Sequence, residues 1–396
     1  MAKAVDSSEN QQANNGAAGG EHACQVTLEA VPRKLPERES VYVTGNLPAL
    51  GDWDPGAVRM QPDEAGNWRL RFSVREGTLV EFKFTRGNWD TEAVGQEGIA
   101  IGNTSLKVNF DTRLQVTIPD WKDLAPREHD PIQGTVVYHR HLTGEGLPPR
   151  DVVVWLPPGY QDNPQRRYPV LYAHDGQNLF DPATSYTGVD WRLDETAYAL
   201  IEANKLEPII IVGIYNTPLR LQEYSLSPLG EKYRKFLVTR LKPFIDQTYR
   251  TRPEARYTAT MGSSMGGLVS FLLTWRNPHV FGKAICMSPS FIYRKGRAIR
   301  WVQRQRRLPS NIQIYLDCGA RGSEKLLLRG CKRMLRFLKR MGMVEGQDLF
   351  FYLDEDGVHN EESWGRRVWR PLLTFFGRPG ALEREMALRE KHTEEA

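Results

Sequence analysis

The chain changes its hydrophobic rhythm about a third of the way along. From residue 23 to about 118, short runs alternate apolar and polar positions: QVTLEAV, SVYVTG, NWRLRFSV, LVEFKFT, SLKVNF and LQVTI. A period of two places every second side chain on one face, as in a strand buried on one side only. The turn clusters LPALGDWDPG, PDEAGN and TRGNWD separate these runs, and no helical period intervenes. The pattern predicts an all-β sandwich over 23–118. Residues 1–22 read as a polar, disordered lead-in. A Pro- and charge-rich joint, PDWKDLAPREHDP, is expected over 119–131.

From about Ile132 the rhythm becomes apolar runs alternating with amphipathic stretches. Strand candidates are GTVVYHR, DVVVWLP, YPVLYAH, PIIIVGIY, RYTATMG, KAICMSP, IQIYLD and DLFFYLD. Helical candidates include EKYRKFLVTRLKPFIDQTY and GGLVSFLLTWRN. Continuously apolar strands with helices between them predict a mostly parallel sheet covered on both faces, over 132–379. Ligands in such sheets bind at the carboxyl ends of the strands, so functional residues are sought just after them. A charged tail is expected over 380–396.

Composition narrows the class only slightly. With 396 residues, 40% apolar and 26% charged, the chain has room for two cores. No apolar run reaches the eighteen residues of a membrane span. The N-terminal stretch lacks a secretory apolar core, which sets the expectation of a cytoplasmic protein. Cys24, Cys286, Cys318 and Cys331 follow no paired spacing, so neither disulfides nor a metal site is expected. His139 and His141 alternate as strand neighbours do, with no ligands nearby to complete a metal set. No cofactor is implied.

The formal charge of +5 is uneven: fifteen Lys and Arg fall between Arg294 and Arg340 against Asp317 and Glu324. An acidic partner would use such a run. The simpler reading is the solvated face of helices, because Leu327, Cys331, Met334, Leu335 and Leu338 lie at helical spacing. No specific nucleic-acid partner is expected.

The chemistry centres on Gly262-Ser263-Ser264-Met265-Gly266-Gly267, between the run RYTATM and the helical LVSFLLTWRN. G-x-S-x-G in a strand–turn–helix setting puts the central serine, Ser264, on a sharp turn. Glycines let the backbones approach there, and the helix start places positive dipole near a developing oxyanion. Only His279, His359 and His392 follow Ser264. His359, in the loop after DLFFYLD, stands where a general base belongs. The acid should follow IQIYLD, where Asp317 and Glu324 are both candidates; Glu324 is favoured for its loop position and longer reach. The oxyanion donors are expected to be the backbone amides of Met265 and of Gln177 in HDGQN.

These stretches, with VVVWLPPGY, RYPVLYAHDGQNLFDP, IIIVGIYNTPLRLQEYS, MSPSF, IYLDCG and GVHNEESW, span about Val152 to Trp364. In this order they resemble the "Putative esterase" family of α/β-hydrolases, which includes enterochelin esterases, feruloyl esterases and esterase D. The resemblance implies Ser264 as nucleophile, His359 as base, and Gln177 and Met265 as oxyanion donors. Relatives often carry an acid about three positions after the glycine matching Gly319; here that place is Gly322, so the acid stays open. The N-terminal region resembles a starch-binding module of family 20, through SVYVTGNLPALGDWDPGAVRM, NWRLRFSV and VEFKFTRGNWDTE. That resemblance implies an immunoglobulin-like sandwich with a sugar site at Trp53, Lys83 and Trp89, and Trp68 in its core.

The expectation is a serine esterase acting through an acyl-enzyme on a carbohydrate-linked or small-molecule ester, with α-glucan as a possible ligand of the first domain. The alternatives are a non-catalytic glucan-binding scaffold and an acyltransferase on the same triad.

Overall fold

The computed structural model describes residues 3–4, 23–64, 66–95, 101–124 and 132–394. Apart from Lys3 and Ala4, the lead-in expected over 1–22 lies outside the described residues. The chain divides into two compact units: residues 1–129 with 186–188, and 130–185 with 189–396.

The first unit is β-rich. Its main strands are β1 (Ala23–Pro32), β2 (Tyr42–Gly45), β3 (Trp68–Arg75), β4 (Thr78–Thr85), β5 (Thr104–Val108) and β6 (Thr112–Ile118). One sheet pairs β6 parallel with β1 and β1 antiparallel with β3. The other runs β2–β4–β5, all antiparallel. Alternation sends Val26, Leu28 and Ala30 from β1, and Val80, Phe82 and Phe84 from β4, into one shared core. Trp68 is buried there. The expected joint starts later than residue 119. Asp120–Trp121 pairs with Ala93–Val94, and the fully buried Trp121 indole donates to the Lys34 carbonyl at 2.6 Å. A large ring that can bury and find an acceptor outweighs the nearby prolines and charges.

The second unit holds an eight-stranded mixed sheet. Its strands are β7 (Thr135–Leu142), β8 (Arg150–Leu156), β9 (Val170–His174), β10 (Ile210–Ile214), β11 (Thr258–Ser263), β12 (Lys283–Met287), β13 (Gln313–Gly319) and β14 (Leu349–Asp354). The spatial order is β7–β8–β10–β9–β11–β12–β13–β14. The β7–β8 and β8–β10 pairs are antiparallel and every later pair is parallel, so the sheet is mixed rather than uniform. Burial on both faces accounts for the unbroken apolar strands: the two faces feed two separate cores. Among the helices are α1 (Leu193–Glu202), α2 (Pro228–Phe236), α3 (Met265–Arg276), α4 (Tyr293–Gln303), α5 (Glu324–Arg340) and α6 (Glu361–Arg367). In α5 the stripe Leu327, Cys331, Met334, Leu335 and Leu338 is buried, as its spacing predicts. The charged tail forms a helix, Ala381–Glu394, tied back by Lys205 on Glu385 at 2.7 Å. All four cysteines are buried free thiols. No helix among the described residues is long and apolar enough to cross a membrane.

Candidate active site

Ser264 is the single residue between β11 and α3. Its φ of 54° and ψ of −116° are rare for a residue with a side chain and cost on the order of 1–3 kcal/mol. Two backbone hydrogen bonds hold the turn: Ser264 N–H donates to Met287 O, and Ser290 N–H donates to Ser264 O, each at 2.9 Å. The glycines permit the close approach. A Cβ on Gly262 would lie 2.7 Å from the Gly266 carbonyl carbon.

Ser264 Oγ lies 3.1 Å from His359 Nε2, and His359 Nδ1 lies 2.9 Å from Glu324 Oε1. His359 comes from the loop after β14, and Glu324 opens α5 just after β13. All three therefore follow the carboxyl ends of parallel strands. Gly319 makes their meeting possible, because a Cβ there would sit 2.3 Å from the Gly357 carbonyl oxygen and 2.9 Å from Glu324 Cγ.

Glu324 is fully buried, and its second oxygen accepts from Gly319 N–H at 3.1 Å and from the Cys318 thiol at 2.9 Å. Burial by itself would raise its pKa. Hydrogen bonds from His359, Cys318 and Ser288 outweigh that and hold it at about 2, so the carboxylate is ionised at neutral pH. An ionised partner on Nδ1 favours the tautomer with its proton there, leaving Nε2 free to accept from the serine.

Asp317, the other candidate acid, turns away from the histidine. It is fully buried, pairs with Arg367 at 3.1 Å and accepts from Ser288 N–H at 3.2 Å. Burial pushes its pKa up, and Arg367 opposes that rise. Its place at the strand end aims it into the packing beneath the loop.

Gln177 lies in the short helical turn Gly176–Asn178 after β9, and Met265 is the first residue of α3. At such positions a backbone N–H has no acceptor within its own helix. Gly176 allows the turn to press on β10, since a Cβ there would be 2.4 Å from the Gly213 carbonyl carbon.

Three supporting groups escaped the sequence reading. Ser290 Oγ lies 3.1 Å from Ser264 Oγ. Ser288 Oγ accepts from Arg367 at 2.8 Å and from Trp364 Nε1 at 3.1 Å, and the Trp364 ring meets the edge of His359 with centroids 4.9 Å apart. Asp175, at φ 60°, is gripped by Arg220 through two bonds of 2.7 Å and by Asn216 through a third. The clamp fixes the loop carrying Gln177. Only the stretches MSPSF, HDGQN and YNTPLRLQEYS hinted at these groups, and nothing local pairs them.

In the first unit Trp53 closes the turn Pro48–Trp53 and Trp89 opens the turn Trp89–Thr91; both are half-buried. Trp89 also meets Tyr186 edge to face at 5.5 Å, within the same unit. Lys83, the third residue expected at a sugar site, is paired within the unit. It is buried and its ammonium is ion-paired with Glu92, because a buried charge must find a partner. Among the described residues one acidic group, Asp190, Asp194 and Glu195, brings its oxygens within 4.8 Å of one another. It shares no member with the Ser264 cluster.

Residues 148–375 match the family model described as "Putative esterase". The chain belongs to that family. Residues 23–117 match the model for a starch binding domain. Family membership makes the second unit an esterase-type hydrolase. Among curated relatives, the Bacillus subtilis protein YbbA is 23% identical over 58% of this chain and 93% of its own length. An endo-1,4-beta-xylanase/feruloyl esterase of Xylanibacter ruminicola is 31% identical over 56% of this chain but only 29% of its own length. The enterobactin esterase of Shigella flexneri has a similar fold, with TM-score 0.51 and 15% identity over 91% of this chain and 95% of that one.

Proposed function

We propose that the chain hydrolyses carboxylic esters through an acyl-enzyme on Ser264. The observation that carries this reading is the hydrogen-bonded series Ser264 Oγ, His359 Nε2, His359 Nδ1, Glu324 Oε1. His359 takes the Ser264 proton as Oγ adds to the ester carbonyl, and Glu324 stabilises the imidazolium that forms. The Met265 and Gln177 amides receive the negative charge on the carbonyl oxygen. Collapse breaks the acyl–oxygen bond, His359 returns the proton to the leaving alcohol, and an acyl-enzyme remains. Water, deprotonated by His359, releases the acid and restores Ser264. This consumes one water and needs no further reactant.

The substrate class is an ester of a carbohydrate or a small molecule. The feruloyl esterase relative supports the first, and the starch-binding match supports a glucan nearby. In this reading Trp53 and Trp89 are the sugar-stacking residues and Lys83 is engaged with Glu92. The test is turnover of nitrophenyl esters, acetylated sugars and feruloyl sugars by wild type and by Ser264→Ala. The variant should fold normally and lose about 10⁴-fold or more of kcat on whichever ester is cleaved. Retention of about a tenth of wild-type turnover would rule out this mechanism.

A further inference from the structure

The basic run from Arg294 to Arg340 does not have a single explanation. In α5 the charges surround a buried apolar stripe and are accounted for as a solvated face. The part between residues 294 and 304 behaves differently. It forms one wall of a cavity of about 480 Å³ lined by Arg234, Arg276, Arg297, Arg300, Arg304 and Trp301, with Glu231 as its one carboxylate.

That carboxylate is already used. Glu231 Oε2 accepts from Arg234 at 2.7 Å and from Arg276 at 2.6 Å. Arg276 also lies over the Trp301 ring, 4.9 Å from its centroid. Arg234 is held further by the Ser225 carbonyl at 3.1 Å, and its side chain is only 3% exposed. Even so, its Nε is buried without a hydrogen-bond acceptor. Arg300 reaches back to the carbonyls of Lys295 and Arg294, which sit in a left-handed turn with Gly296. No carboxylate pairs with Arg297, Arg300 or Arg304 among the described residues. Five guanidiniums thus face one space with one shared negative charge. Arg297, Arg300 and Arg304 follow at intervals of three and four along α4 and its cap, a like-charge arrangement that destabilises a helix unless an anion joins it.

We propose that this cavity, separate from the Ser264 cluster, binds a phosphoryl group, as free phosphate or as a phosphate monoester. A guanidinium presents planar, paired donors that match phosphate oxygens, whereas hydrated ammonium groups would not hold such geometry. Arg234 and Arg276, fixed by Glu231, form the rigid floor, and Arg297 and Arg304 are the unpaired donors that complete the site. The ion balances the excess charge and supplies the acceptors that Glu231 alone cannot.

Calorimetry on the full chain tests this, using inorganic phosphate, glucose 6-phosphate and glucose at matched ionic strength. The phosphate-bearing ligands should bind and glucose should be silent. The double variant Arg297→Gln/Arg304→Gln, at exposed positions, should weaken phosphate binding roughly tenfold or more with an unchanged melting temperature. Glu231→Gln should act in the opposite direction and tighten it, because the amide oxygen can still accept from Arg234 and Arg276 while the competing negative charge is gone. Tighter binding of glucose 6-phosphate than of phosphate assigns the site to a phosphorylated sugar, and equal binding assigns it to the free ion. No heat with either ligand in wild type, or equal binding by wild type and the double variant, overturns the proposal.

Discussion

Asp317 on β13 and Glu324 at the start of α5 are both fully buried, yet only Glu324 faces the histidine. The sequence left the choice between them open because strand position says little about which way an end residue points. The structure separates them by partner: His359 for Glu324 and Arg367 for Asp317. The two should therefore fail differently. Glu324→Gln removes the charge that stabilises the imidazolium and should lower kcat about 10³–10⁴-fold, together with the stability that the ionised carboxylate contributes at neutral pH. Asp317→Asn breaks a buried ion pair and should cost about 3 kcal/mol of stability while leaving kcat within a few-fold. Paired thermal melts and turnover measurements distinguish them. A larger kcat loss in Asp317→Asn than in Glu324→Gln would reassign the acid. The low pKa of Glu324 also carries a sign. Its contribution to stability is complete above the unfolded value near 4.5 and is lost as pH falls toward about 2.

The strands of the second unit were legible because burial on both faces writes itself as unbroken apolar runs, and all eight runs became strands. The turn carrying Ser264 was equally legible, since glycine is the only residue that lets β11 and α3 close so tightly. The Asp175–Arg220 clamp was not, because its partners lie 45 residues apart and meet only when β9 and β10 pair. The Lys83–Glu92 pair was not legible either, because its partners lie on separate elements that meet only in the folded unit. The two turns that hold Trp53 and Trp89 carry the remaining sugar expectation. Calorimetry with maltoheptaose should show weak binding that varies little with salt, because ring stacking needs no charge. Trp53→Ala with Trp89→Ala should abolish it. Equal binding by the double variant, or none by wild type at millimolar sugar, would leave the first unit without a glucan role.

Across the whole molecule, charge and chemistry are kept apart. The Ser264 cluster holds little charge: one buried carboxylate, Glu324, is hydrogen-bonded to one imidazole, and that imidazole to a strained serine. The excess positive charge lies elsewhere, part on the solvated face of α5 and part around the Glu231 cavity. The claim on which the rest depends is that Ser264 itself becomes acylated. Peptide mass spectrometry after incubation with a serine-directed fluorophosphonate tests it most directly, because the reagent needs an activated oxygen nucleophile and no knowledge of the natural ester. A single adduct per chain is expected, on the peptide containing Ser264, absent in Ser264→Ala and strongly slowed in Glu324→Gln. An adduct on another residue, or no adduct from protein that still hydrolyses esters, would contradict it.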